Sequence, residues 1–237
     1  MKKVVVITGV SREMGLGFET AKQMKEAGYE VIISARRLED AQKLAGQIGV
    51  IAKELDVTDD ESVSKLAKEI ESDYGYLTTL INNAGAFFDQ GNTIMETEIQ
   101  YAQDALNLNL LGSWRMAKAF VPLLDKSGEG RIVHISSVGG SFSDTKFGLA
   151  YHESHVPVYG ICKLALNGFT VKLAKELHDS TIKVNSVCPG FIATYPGTEE
   201  WGARPVSEGA KGVVWAATLP ADGPTGGFFR DGKPLPW

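Results

Sequence analysis

Two residues, Tyr159 and Lys163, have the types and the spacing of an acid–base pair. The apolar pattern of Val158–Leu177 predicts a helix, in which residues four apart lie one turn apart on the same face. A lysine ammonium beside a phenol favours the ionised phenol, so it is expected to lower the tyrosine pKa from its usual value of about 10. The pair is therefore predicted to act as a general acid for a carbonyl oxygen.

A second candidate site is the glycine-rich turn that follows the first apolar run. The β-branched run Lys3–Thr8 precedes Gly9, Gly15, Leu16 and Gly17, and a helical pattern then continues to Ala27. Such a turn places backbone N–H groups and the positive end of a helix around a phosphate, and glycine lets a pyrophosphate approach closely. The pattern indicates a dinucleotide-binding turn, and a plain connection between strand and helix is the alternative.

Strands and helices alternate along the chain. The predicted strands are Lys3–Thr8, Glu30–Ala35, Gly49–Leu55, Thr78–Asn82, Arg131–Ser136, Ile182–Val187 and Gly227–Phe229. The predicted helices are Gly15–Ala27, Leu38–Ile48, Asp59–Tyr74, Met95–Leu124 with a break near Leu108, Val158–Leu177 and Val206–Thr218. This alternation predicts an α/β fold with a Rossmann-type, doubly wound parallel sheet, in a single domain over residues 1–237.

Ligands of such sheets bind beyond the carboxyl ends of the strands. The glycine turn and four polar or turn-forming residues fall at those ends: Asp56, Asn82, Ser137 and Pro189. The sequence therefore predicts one ligand site at this edge of the sheet.

Composition fits a globular enzyme and excludes other classes. The 237 residues are 43% hydrophobic and 22% charged with a net charge of −5, so a broad basic surface for nucleic acid is not expected. No apolar run reaches the roughly 18 residues of a membrane span. The N-terminal residues lead directly into a strand, which predicts a cytoplasmic protein. The two cysteines, Cys162 and Cys188, are expected to be buried thiols.

His152 and His155 have the spacing of two metal ligands. A zinc site needs at least three protein groups, and no third ligand is evident in the sequence. No metal site is therefore predicted.

Seven short motifs, taken in order, resemble those of the short-chain dehydrogenase/reductase family over nearly the whole chain. They are Thr8-Gly9 with Gly15-x-Gly17, Asp56-Val57-Thr58-Asp59, Asn82-Asn83-Ala84-Gly85, Asn109 three residues before Gly112, Ser136-Ser137, Tyr159-x-x-x-Lys163 and Pro189-Gly190. The resemblance implies an enzyme in which a nicotinamide cofactor transfers hydride and the protein supplies position and electrostatics. It also implies a catalytic set of Asn109, Ser137, Tyr159 and Lys163.

The resemblance gives each member of this set a role. Ser137 would hydrogen-bond the substrate oxygen, and Tyr159 would deliver or remove its proton. Lys163 would lower the tyrosine pKa and hold the ribose hydroxyls, while Asn109 would position a water that passes protons to the lysine. Ser137 is preferred to Ser136 because the family's serine is usually the last of this pair, and alternate strand residues face opposite ways.

The same resemblance implies where a cofactor would bind. The expected contacts are Gly9, Arg12, Gly15, Leu16, Gly17, Arg36, Arg37, Asp56, Val57, Asn83, Ala84, Gly85, Tyr159, Lys163, Pro189, Gly190, Ile192 and Thr194. Asn82 is expected to bridge the sheet to the cofactor, and Asp56 to reach the adenine.

The end of the second strand indicates which nicotinamide cofactor is used. An acidic residue there would accept hydrogen bonds from ribose hydroxyls, whereas an arginine can pair with a 2′-phosphate. The strand ends in Ala35-Arg36-Arg37. NADPH is therefore the expected cofactor, with Arg36 on the phosphate and Arg37 or Arg12 assisting.

Two features depart from the family pattern. Five residues separate Gly9 from Gly15, a long loop that resembles the family's enoyl reductases. Those enzymes place the tyrosine seven residues before the lysine, where this chain has Val156, so carbonyl reduction is favoured over C=C reduction. The stretch between Ser137 and Tyr159 is also long, and it is expected to form one wall of the substrate pocket.

The sequence thus predicts an NADPH-dependent carbonyl reductase that interconverts a ketone or aldehyde with an alcohol. An NADP-dependent enoyl reductase and a regulator that binds NADPH without turnover are the alternatives. The complete Asn-Ser-Tyr-Lys set argues against a regulator, which has no need of a proton relay. The expected partner is a small carbonyl substrate, without nucleic acid or membrane, and a homo-oligomer is left open.

Overall fold

The computed structural model describes residues 1–87, 91–151 and 156–237. Within these residues, eight strands form one sheet in the order β3-β2-β1-β4-β5-β6-β7-β8, and every neighbouring pair is parallel except β7 with β8. The strands are β1 Val4–Ile7, β2 Glu30–Ala35, β3 Ile51–Glu54, β4 Thr79–Asn82, β5 Arg131–Ile135, β6 Lys183–Val187, β7 Phe228–Arg230 and β8 Lys233–Pro234.

Helices cover both faces of this sheet. They are α1 Leu16–Glu26, α2 Leu38–Ile48, α3 Asp60–Tyr74, α4 Ile99–Leu106, α5 Gly112–Lys126, α6 Pro157–Glu176 and α7 Val206–Ala217. The predicted fold class, an α/β protein with a doubly wound parallel sheet, is confirmed. Strand β8 was not predicted, because two residues are too few to show a strand's alternation.

The strands separate two apolar cores. In β1, Val5 and Ile7 pack with residues of α1 and α7, whereas Val4 and Val6 pack with residues of α3 and α5. All four side chains are fully buried. Because both faces of the sheet are covered, the central strands read as continuous apolar runs in the sequence.

The predicted break near Leu108 is a change of helix type. A π-helical turn, Asn107–Leu111, joins α4 to α5 without interrupting the helix. Such turns insert extra backbone and are frequent at functional sites. This one carries Asn109, which is fully buried.

The strand order reverses at β1. This strand pairs with β2 on one side and with β4 on the other, so the chain crosses the sheet between β3 and β4. In open α/β sheets, the crevice beyond the carboxyl ends of the strands at this point is the usual ligand site. The glycine turn follows β1, and Asn83–Gly85 follows β4, at that crevice.

Candidate active site

A cleft of about 670 Å³ lies at the carboxyl ends of β1, β2 and β4. It brings together many of the predicted site residues: Gly9, Arg12, Arg36, Arg37, Asp56, Val57, Asn83, Ala84, Gly85, Tyr159, Lys163 and Thr194. A smaller adjoining cavity is lined by Gly15, Leu16 and Gly17, together with Gly9, Arg12 and Thr194.

Close packing explains two of the glycines in the turn. Gly9 has a φ of +71°, and a Cβ on it would lie 2.6 Å from the Cα of Ala84. A Cβ on Gly17 would lie 2.6 Å from Asn83 Nδ2. That amide donates to the carbonyl oxygen of Thr8 at 2.7 Å and so ties the segment after β4 to the turn. The result is a turn without side chains at the start of α1, which fits an approaching phosphate.

The two arginines after β2 differ in their partners. Arg37 donates to both carboxylate oxygens of Asp40, at 2.8 Å from Nε and 2.7 Å from Nη2. This pairing lowers the pKa of Asp40. Arg36 is exposed at the cleft and makes no hydrogen bond or ion pair with any other described residue. Of these two arginines, Arg36 is therefore the one that is available to an anionic ligand.

Asp56 presents part of its carboxylate to the cleft. Its Oδ1 accepts hydrogen bonds from the N–H and hydroxyl of Thr58 at 2.9 and 2.6 Å. Oδ2 makes no hydrogen bond with the described residues, so it can accept one from a ligand.

Ser137 is the hydrogen-bonding side chain that lowers the pKa of the Tyr159 phenol. The Ser137 Oγ also accepts from Gly139 N at 3.1 Å. Ser136 has a different environment, because it is 1% exposed and donates to Asn167 Oδ1 at 2.6 Å. Of the two serines, Ser137 is the one whose hydroxyl contacts the phenol.

Two glycines that the sequence analysis missed bring the Ser137 segment onto α6. A Cβ on Gly140 would overlap the backbone nitrogen of Leu164, and one on Gly160 would lie 2.9 Å from the carbonyl oxygen of Gly139. The short 3₁₀ turn Val138–Gly140 therefore packs directly on the helix backbone. The sequence signal for Gly140 was the pair Gly139-Gly140 just after Ser137. Such a pair more often indicates a turn.

The expected lowering of the Tyr159 pKa is not found. Burial raises the pKa of this phenol, the neighbouring Cys188 raises it further, and the hydrogen bond with Ser137 opposes both. The Nζ of Lys163 lies 5.2 Å from the centre of the Tyr159 ring. It donates to the carbonyl oxygen of Ile135 at 2.9 Å. Desolvation thus determines the direction of the shift, and the phenol remains a protonated acid at neutral pH.

Lys163 is itself strongly affected by burial. It is 4% exposed. Burial lowers its pKa from 10.5 to about 8, against an opposite effect of Cys162 and Cys188. A lysine with this pKa changes its charge close to neutral pH and can exchange protons there.

We expect Lys163→Met to stabilise the unliganded protein at pH 7. The lysine pKa falls from 10.5 to about 8 on folding, so the buried ammonium has its whole destabilising effect below pH 8. This loss of stability decreases between pH 8 and pH 10.5 and is absent above pH 10.5. Loss of the hydrogen bond to Ile135 should cost about 1 kcal/mol. The net increase in the free energy of unfolding at pH 7 should therefore be about 2 kcal/mol.

Urea unfolding of both proteins at a series of pH values measures this difference. The gain in the free energy of unfolding should shrink as the pH rises from 8 to 10.5. A gain that does not change with pH, or a variant less stable at pH 7, would contradict the assigned cost of the buried ammonium.

Asn109 holds the segment after β4. Its Nδ2 donates to the carbonyl oxygens of Ala86 and Ala105, both at 3.0 Å, and its Oδ1 accepts from Ala86 N at 3.3 Å. The amide thus binds backbone at both ends, and its role in positioning a water stays a prediction. The clamp on Ala86 fixes the next residue, Phe87, whose ring centre lies 4.2 Å from that of Tyr159.

Asn82 does not bridge the sheet to the cleft. Its Nδ2 lies 3.3 Å from Nδ1 of His134, its neighbour on β5. Burial, with a further effect of Lys163, lowers the pKa of His134 to about 3, so the imidazole is neutral. Asn82 therefore belongs to the sheet interior, and Asn83 makes the connection to the glycine turn instead.

Pro189, Gly190 and Ile192 do not line the cleft but shape the loop that leads to Thr194. Arg204 donates from Nε and Nη2 to the Pro189 carbonyl oxygen at 3.0 and 2.7 Å, and its backbone forms a β-bridge with Ile192. Gly190 has a φ of +80°, a conformation that other residues rarely adopt.

The remaining sequence expectations concern residues outside the cleft. Cys162 and Cys188 are buried thiols, as expected. His152 and His155 lie outside the described residues. Among those that are described, no three His, Cys, Asp or Glu side chains come together as metal ligands. No helix in the described parts of the chain has the length and apolar character to cross a membrane.

Comparison with known proteins gives consistent matches. The family model for short chain dehydrogenases matches residues 3–203, a range that contains every residue lining the cleft. The 3-oxoacyl-[acyl-carrier-protein] reductase of Bos taurus is 35% identical over 82% of this chain and 77% of that protein. The (+)-neomenthol dehydrogenase of Arabidopsis thaliana is 28% identical over 96% and 95%. The solved structure of ElxO with NADP bound is 28% identical, covers 97% of both chains and has a TM-score of 0.84.

Proposed function

This chain belongs to the short-chain dehydrogenase family of oxidoreductases, and we propose that it interconverts a ketone or aldehyde with an alcohol, using NADPH. The observation that supports this most is the arrangement of one cleft. Tyr159 and Lys163 line this cleft together with Gly9 of the glycine turn and Arg36.

Three features of the chain fit NADPH. The side-chain-free turn at Gly9 and Gly17 leaves room for a pyrophosphate. Arg36 is free to pair with a 2′-phosphate, and Asp56 has a carboxylate oxygen for the adenine. The related ElxO structure contains NADP. When bound, the nicotinamide would supply the hydride.

Proton transfer is assigned to residues around α6. Ser137 would donate a hydrogen bond to the substrate oxygen, and Tyr159 would give that oxygen its proton as hydride reaches the carbon. A phenol with a raised pKa is protonated at neutral pH, which suits the direction of reduction. Lys163 would then stabilise the phenolate through its ammonium, and its own pKa of about 8 allows it to pass on a proton.

Aromatic side chains are exposed in the cleft and in the stretch that is predicted to form its wall. Phe87 is 45% exposed and packs on the Tyr159 ring, and Phe142 and Tyr151 of the predicted pocket wall are about 60% exposed. Apolar side chains around a few polar groups are typical of sites for small organic ligands. We therefore propose that the carbonyl substrate has an apolar substituent.

The proposed function is tested by cofactor oxidation with a matched panel. A saturated ketone, the corresponding aldehyde and the corresponding enone are each incubated with NADPH and with NADH, and products are identified by mass spectrometry. We expect alcohols from the ketone and aldehyde, and an unsaturated alcohol from the enone. A saturated ketone formed from the enone would identify an enoyl reductase instead. Binding of NADPH without oxidation by any substrate would support the regulator.

A further inference from the structure

Two loops that line the cleft are in contact through the side chains of Arg12 and Tyr195. Arg12 belongs to the loop between Gly9 and Gly15, and Tyr195 follows Thr194 in the loop after β6. The guanidinium carbon of Arg12 lies 4.3 Å from the centre of the Tyr195 ring, which is a cation–π contact. Both residues line the cleft, so this contact joins the two loops at the cleft wall.

Each of the two loops also has a local turn of its own. In one loop, Gly15 N donates to the carbonyl oxygen of Arg12 at 3.0 Å, and α1 begins at the next residue. In the other, Thr198 Oγ1 donates to the Tyr195 carbonyl oxygen at 2.7 Å. These two bonds lie within each loop, so they do not depend on the contact between the Arg12 and Tyr195 side chains.

The Arg12 guanidinium keeps its hydrogen-bond donors available beside the Tyr195 ring. Arg12 makes no side-chain hydrogen bond or ion pair with any other described residue, and Tyr195 is 51% exposed. Stacking occupies the flat face of a guanidinium and leaves its N–H edge free for an anion. Arg12 is thus oriented by an aromatic ring while it remains able to bind phosphate.

The position of Arg12 favours one phosphate over another. Arg12 lines the small cavity at the glycine turn together with Gly15, Gly17 and Thr194, whereas Arg36 lines only the larger cleft. The glycine turn is the part of this fold that receives the diphosphate of a dinucleotide. The diphosphate is therefore assigned to Arg12, and the 2′-phosphate to Arg36.

We propose that Tyr195 is a positioning residue for the cofactor: its ring holds the Arg12 guanidinium at the cavity of the glycine turn, against the diphosphate, and so slows dinucleotide release. This inference rests on the proposed NADPH function. The diphosphate is common to NADPH and NADH, so release of both should be slowed equally.

Stopped-flow displacement of NADPH and of NADH, followed by nicotinamide fluorescence, measures the release rates. An exposed cation–π contact corresponds to roughly a two- to fivefold effect. Tyr195→Leu should therefore accelerate release by about that factor for both cofactors. Tyr195→Phe, which retains the ring, should release both cofactors at the wild-type rate. In an Arg12→Leu background, Tyr195→Leu should have no further effect, because the two residues act through one contact.

Three results would overturn the inference while the proposed function stands. These are an unchanged release rate in Tyr195→Leu, an equal acceleration when Arg12 is already leucine, and an acceleration confined to NADPH, which would place Arg12 on the 2′-phosphate. A wild-type protein that binds neither dinucleotide would overturn both this inference and the function on which it rests.

Discussion

Replacement of Tyr159 by phenylalanine should reduce turnover by roughly 10²–10⁴-fold, the usual contribution of a general acid. The change deletes the hydroxyl that is joined to Ser137 and leaves the ring that packs 4.2 Å from Phe87, centre to centre. Affinity for NADPH should therefore stay close to that of the wild type. Steady-state turnover with the best ketone of the panel, beside a fluorescence titration of NADPH, measures the two quantities separately.

Tyr101→Phe is the matched control for this variant. Tyr101 lies in α4 and is 42% exposed, and it does not line the cleft. The same chemical change should leave turnover unaltered there. If Tyr159→Phe retained near-native turnover, proton donation would have to come from another group, and the proposed role of Tyr159 would be abandoned.

The order of elements in this fold was accessible from the sequence because the local signals are strong. Strand Glu30–Ala35 and helix Leu38–Ile48 have the predicted bounds. Each is a clear apolar or amphipathic run bounded by turn residues. The π-helical turn Asn107–Leu111 was not accessible in this way, since a change from α to π bonding leaves the apolar spacing almost unchanged.

Within the site, the motifs indicated which residues meet but not the balance of forces on them. The spacing of Tyr159 and Lys163 predicted that an ammonium would lower the phenol pKa. Burial instead raises that pKa and lowers the pKa of the lysine. Burial and the effect of Cys188 both depend on segments distant in sequence, and no local pattern reports them.

The same limit applies to neighbouring candidates of one residue type. The sequence offered Asn82 beside Asn83 as polar residues at the end of β4. Only the register of β4 with β5 shows that Asn82 faces His134, while Asn83 reaches back to the glycine turn. A choice between adjacent residues therefore required the positions of other strands.

Arg36→Asp should invert or abolish the preference for NADPH over NADH. In the wild type, Arg36 is the unpaired guanidinium at the end of β2, and a charge-assisted hydrogen bond to a 2′-phosphate corresponds to roughly ten- to hundredfold in affinity. An aspartate there would repel the phosphate of NADPH and accept hydrogen bonds from the ribose hydroxyls of NADH. The measurement is kcat/KM for both cofactors at one fixed salt concentration, because an exposed pair is screened by salt.

A neutral pair of variants, Arg36→Gln and Arg37→Gln, separates the two adjacent arginines. Because Arg37 is already held by Asp40 at 2.7 and 2.8 Å, its replacement should alter the cofactor preference much less than replacement of Arg36. Equal effects of the two variants would mean that the Asp40 pair opens when the phosphate binds and that both arginines contact it. A wild type that prefers NADH, or an unchanged ratio in Arg36→Asp, would show that the 2′-phosphate is not read at the end of β2, and Arg12 would be the next candidate.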